Sequence, residues 1–192
     1  MKQSTFLIVA LFFSFSLLAQ NKATKAGQLQ LNAGIGLLST YAADKTQAVV
    51  LPISINAEVF LSPNIAVGIY GAYSRTKGQS IFPNADLVED YDNTTRQLAV
   101  KTSFYSNNMN AWRVYGGFLT GISRSTIEKT TTSLVGEGDK DTVPSFSRPN
   151  APNSFLFSGY VGVQRIVTSN VSIYGELGFG ISLVNAGLSY RF

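Results

Sequence analysis

At 192 residues the chain is long enough for one domain, and its composition restricts what that domain can do. It contains no Cys and no His, which excludes disulfide staples, thiolate metal sites, histidine bases and serine–histidine catalysis. Charged residues are only 14% of the chain, against roughly 25% in an average soluble domain. The net charge of +4 comes from Lys and Arg scattered singly, with no basic stripe to suit nucleic acid.

The first element is a leader. Lys2 supplies a positive start, Phe6 to Leu18 form an apolar run broken only by Ser14 and Ser16, and Ala19 is small. This predicts a secretory signal peptide over residues 1–19. The run is too short for the ~20 residues of a spanning helix. Residues 20–192 are then the mature domain, expected to carry no helical anchor.

From Gln28 onward the pattern has period two, which in a strand sends alternate side chains to opposite faces. Leu29, Leu31, Ala33, Ile35 and Leu37 oppose Gln28, Gln30, Asn32, Gly34 and Gly36. Seven more segments follow. Val49 to Val59 oppose Ser54, Asn56 and Glu58, and Ile65 to Tyr73 oppose Gly68, Tyr70 and Ser74. Leu98 to Phe104 oppose Lys101 and Ser103, and Trp112 to Ile122 oppose Arg113, Tyr115 and Gly117. Phe155 to Val163 oppose Ser158, Tyr160 and Gln164, and Val171 to Phe179 oppose Tyr174 and Glu176. Val184, Ala186, Leu188, Tyr190 and Phe192 oppose Asn185, Ser189 and Arg191. Each segment is close to the 9–11 residues a tilted strand needs to cross hydrocarbon. Short turns at 62–64, 107–110 and 168–170 alternate with long polar connections at 39–48, 75–93 and 124–153. The last connection, between Gly180 and Leu183, is very short.

The apolar faces carry no charge through their middles, while the opposite faces hold Gly, Ser, Asn, Tyr and isolated charges. That polarity is wrong for a soluble barrel and right for one in lipid, where a midplane Lys or Arg costs ~2–4 kcal/mol. Closure also satisfies the backbone groups that an open sheet would strand in hydrocarbon. Arg96 and Arg165 share the apolar parity but lie near segment ends, within reach of headgroups. The expectation is an all-β, eight-stranded, antiparallel, up-and-down transmembrane β-barrel.

The leader, the eight alternating segments and the ending Ala186-Gly187-Leu188-Ser189-Tyr190-Arg191-Phe192 together resemble the small outer-membrane barrels typified by the OmpA transmembrane domain and OmpX. Val171 to Gly180 is similar to their penultimate strand. The resemblance implies an integral protein of a Gram-negative outer membrane, a monomer, with membrane lipid as its surroundings. It implies that Leu188, Tyr190 and Phe192 are the signal read by the barrel-assembly machinery. With no further segment after Phe192, a peptidoglycan-binding module like that of full-length OmpA is not expected.

Candidate chemistry centres on Glu58, Lys101, Arg113, Glu176 and Arg191, all of interior parity. Buried charges in a narrow barrel must pair or be hydrated, so a salt-bridge network with Glu58 and Glu176 as its anions is expected. It would serve as a plug or as a gate for small solutes. Acidic runs at Asp86, Glu89, Asp90 and Asp92, and at Glu137, Asp139 and Asp141, lack the spacing of a calcium loop. No catalytic, cofactor or metal residue is assigned. The expected role is structural or surface interaction in the envelope, with the long loops as the surface for an extracellular partner. The alternatives are a narrow channel for small or hydrophobic solutes and a lipid-modifying enzyme.

Overall fold

Alternating β-branched and aromatic residues favour a pleated, half-buried surface, and the chain uses them in eight consecutive strands. A computed structural model describes residues 24–39, 47–82, 87–133 and 154–192. The strands are β1 (Leu29–Ser39), β2 (Gln47–Ser62), β3 (Ile65–Phe82), β4 (Leu87–Tyr105), β5 (Trp112–Ser133), β6 (Ser154–Ile166), β7 (Val171–Gly178) and β8 (Ser182–Arg191). Each pairs antiparallel with the next, and β8 returns to β1, closing the barrel. The closing seam sets Leu31 against Tyr190 and Ala33 against Leu188, and the Phe192 N–H donates to the Leu29 carbonyl at 2.9 Å.

Side-chain parity follows the sequence pattern. Ile55, Phe155 and Phe157 point outward at 68%, 73% and 67% exposure, whereas Glu58 and Lys101 point inward at 0% and 2%. The outward face is an apolar belt. Across β3, β4 and β5, successive outward rows are Ile65–Phe104–Gly116, Val67–Thr102–Phe118, Ile69–Val100–Thr120 and Gly71–Leu98–Ile122. Inward, Phe60, Tyr70, Tyr105, Tyr115, Leu119 and Tyr160 fill the bore, which in a barrel of this strand number is just wide enough for side chains to occupy.

One end of the barrel carries tight turns. Between β4 and β5, Met109 and Trp112 exchange both backbone hydrogen bonds around Asn110 and Ala111, whose φ values are 50° and 69°. Positive φ at both central residues gives the turn the twist of the flanking strands. Trp112, Tyr190 and Phe192 form an aromatic fringe near this end, and Arg165 stacks over Trp112 at 5.3 Å.

At the other end the wall is uneven. The residues 75–93, expected as a long polar loop, instead continue the ladder, with β3 running to Phe82 and β4 resuming at Leu87. Likewise 124–133 extends β5. Thr76, Tyr91, Thr94, Thr95 and Thr126 suit strands without being apolar; Thr94 and Thr126 lie on the outward face, whereas Thr76 and Thr95 are buried within. The connection between β7 and β8 is only residues 179–181. Residues 1–23, which include the predicted leader at 1–19, and residues 40–46, 83–86 and 134–153, which include Asp86, Glu137, Asp139 and Asp141, lie outside the described residues.

Candidate functional site

The inward charges sit on a scaffold set by register. Glu58 of β2, Gly68 of β3 and Lys101 of β4 are directly opposite one another in one row. Gly68 has no side chain to hold the charged pair apart. A Cβ there would fall 2.0 Å from the Ala57 carbonyl oxygen. Lys101 Nζ lies 3.6 Å from Glu58 Oε1 and 2.5 Å from Glu176 Oε1. A second glycine does similar work on the far wall. Tyr115, Gly162 and Glu176 form another row. Tyr115 lies across Gly162, where a Cβ would meet its ring at 2.6 Å, and its hydroxyl donates to Glu176 Oε1 at 3.0 Å.

Glu58 is the most fully satisfied group in the bore. Its Oε2 accepts from Ser103 Oγ at 2.9 Å and from the Tyr105 hydroxyl at 3.1 Å. Its Oε1 accepts from Asn32 Nδ2 at 3.4 Å, and Asn32 also donates to Asn56 Oδ1. Ser103 further hydrogen-bonds the Tyr160 hydroxyl, whose ring lies 4.5 Å from Lys101 Nζ. Glu58 and Lys101 therefore have the partners that desolvation demands.

Lys101, Glu58 and Glu176 come together; Arg113 and Arg191 do not join them. Among the described residues neither arginine makes an ion pair. Both donate to Thr24 Oγ1, at 3.0 and 2.9 Å. Arg113 also reaches the Pro63 carbonyl at 2.9 Å, and Arg191 reaches Gln30 Oε1 at 3.2 Å. Their planes lie over Tyr105 and Phe60, at 4.5 and 5.3 Å. The separation has a simple cause. Gln30 is opposite Glu58 on one side and Arg191 on the other, so a neutral amide occupies the place where the two would meet.

Thr24, Gln30, Asn32, Ser103 and Tyr105 are the members that parity alone did not single out. Gln30, Asn32 and Ser103 carry the inward signal but no charge. Thr24 precedes the first strand, and no local pattern marks it. The gap left among Gln30, Lys101, Tyr115, Tyr174 and Glu176 is too tight to admit a water-sized sphere. The arrangement holds opposite charges in a packed bore. Leu188, Tyr190 and Phe192 all face outward along β8, and the last two rings meet edge to face at 4.7 Å.

No family model matches the chain, and no curated protein matches it in sequence. Solved structures do match in fold. A de novo designed transmembrane β-barrel is 14% identical, with 89% of this chain and 100% of the design covered at a TM-score of 0.52. The outer-membrane protein OprG of Pseudomonas aeruginosa is 13% identical, covering 88% of this chain and 98% of its own, at 0.49. The N-terminal barrel of OprF from the same organism is 9% identical, covering 88% and 100%, at 0.46. The architecture is that of the small eight-stranded transmembrane barrels: closed, antiparallel, polar within and apolar without.

Proposed function

We propose that this chain resides in the outer membrane as an integral barrel with a structural or surface-interaction role in the cell envelope, without catalysis. The observation that carries this reading is the filled bore. Lys101, held between Glu58 and Glu176 and flanked by Tyr115 and Tyr160, occupies the middle of the lumen. Such a cross-section supports a wall-forming role over solute passage. The extended β3, β4 and β5, of 18, 19 and 22 residues, exceed the ~9–11 that a crossing needs. They support a surface role by raising a polar wall beyond the belt.

Planar-bilayer recording of the purified, refolded protein tests this. A membrane with inserted protein and no resolvable steady conductance is expected. A steady conductance that Glu176→Gln alters would overturn the structural reading in favour of a channel.

A further inference from the structure

The row directly above the apolar belt on β3, β4 and β5 is Tyr73–Arg96–Arg124. Arg96 and Arg124 are directly opposite in register, and both are exposed on the outward face. Like charges opposed across strands are destabilising unless something of the other sign stands between them. Among the described residues, nothing in the protein does. The row below is Gly71–Leu98–Ile122, and the row above is Arg75–Thr94–Thr126, so neither contains a carboxylate.

The nearest outward acids are engaged or remote. Asp92 accepts a forked hydrogen bond from Arg75, at 2.9 Å from Nε and 2.6 Å from Nη2, with Lys77 at 3.8 Å. Glu128 stands four residues along β5 from Arg124, or roughly 13 Å at strand rise, beyond a Debye length of about 8 Å. Two unneutralised guanidinium groups thus share one point at the edge of the hydrocarbon belt, on the end away from the tight turns. Neighbouring strands are about 4.8 Å apart, a span across which both forks can grip one tetrahedral oxyanion.

We infer that Arg96 and Arg124 form a clamp for the phosphate headgroup of a membrane lipid in the leaflet at the loop end of the barrel. The lipid source, rather than free phosphate, follows from the row beneath: Leu98, Ile122 and Phe155 are outward, exposed and apolar, so acyl chains run along the wall from a headgroup held by the two arginines. Tyr73 completes the interfacial row. The inference rests on the membrane reading above.

The full chain is inserted into phosphatidylcholine nanodiscs doped with lipid A bearing two phosphates, or with the same lipid dephosphorylated, and retained lipid is quantified by mass spectrometry. Insertion is scored separately by heat-modifiable migration. Wild type is expected to enrich the phosphorylated lipid over the dephosphorylated one. Arg96→Gln/Arg124→Gln should lower that enrichment roughly tenfold or more, since each basic residue near a charged lipid surface contributes substantially. Arg96→Lys/Arg124→Lys should restore part of it. Arg75→Gln, whose partner is Asp92, should leave it near wild type. Equal retention of both lipids, an unchanged double variant, or equal displacement by inorganic phosphate at the same concentration as the lipid would each overturn the clamp while leaving the membrane reading intact. A wild-type chain that fails to insert would overturn both.

Discussion

Lys101 is where the energetics of the bore concentrate. Three charges meet in a region from which water is nearly excluded, and Lys101 is the only cation of the three. Removing one member of a buried ion group leaves the others uncompensated, at a cost of about 3–5 kcal/mol. Lys101→Met should therefore lower the midpoint of urea unfolding in lipid vesicles by that order. The two carboxylates are unequal. Glu58 keeps Ser103, Tyr105 and Asn32, whereas Glu176 keeps the Tyr115 hydroxyl. Adding Glu176→Gln to Lys101→Met should recover part of the loss. A double variant no more stable than Lys101→Met would show that Glu176 is hydrated rather than held by the lysine. At this scale the sequence disclosed which side chains face inward, because a period of two needs no knowledge of the partner strand. It did not disclose who meets whom. Glu58 reaches Lys101 across Gly68, and Arg191 is kept from Glu58 by Gln30. Both facts depend on the stagger between strands, which no single segment encodes.

Strands that outrun the membrane change their chemistry where the belt ends. Below the Arg96 row the outward residues of β4 are Leu98, Val100, Thr102 and Phe104; above it they are Thr94 and Asp92. The extension is pinned by cross-strand charge pairing between Arg75 and Asp92. Hydrogen bonds from Arg75 hold the Asp92 carboxyl below its usual 3.8. A carboxyl with a depressed folded-state pKa contributes stability that is complete above its unfolded value. That contribution fades as pH falls through the lower, folded value. It is therefore intact at neutral pH and lost only in strong acid. In Arg75→Gln, the Asp92 titration followed by carboxyl-carbon NMR should move upward toward the ordinary range, with Lys77 at 3.8 Å supplying the residual depression. No movement would mean that Arg75 and Asp92 are not paired in solution. Solvation explains why 75–93 suggested a loop: polarity marks exposure to water, and in a membrane barrel that is as true of a strand above the belt as of a connection.

Closure is a property of the whole chain, because β1 and β8 are the most distant strands in sequence and neighbours in space. Until they pair, each presents an unsatisfied edge, which is untenable in hydrocarbon. Before closure, β8 is thus one of two edges available to any factor that guides insertion. Its outward residues Leu188, Tyr190 and Phe192 are proposed as that factor's recognition signal. The structure adds a second duty for Phe192, whose N–H extends the seam to Leu29 while its ring packs on Tyr190. Deletion of Phe192 confounds the two duties; Phe192→Ala separates them, because it keeps the backbone bond and removes the ring. If the ring is the signal, Phe192→Ala should lower the folded, heat-modifiable fraction in cells severalfold, yet refold in detergent nearly as well as wild type. If the seam is what matters, only the deletion should fail, and it should fail in detergent as well as in cells. Equal cellular assembly of Phe192→Ala and wild type would remove Phe192 from the assembly signal and leave it a seam residue.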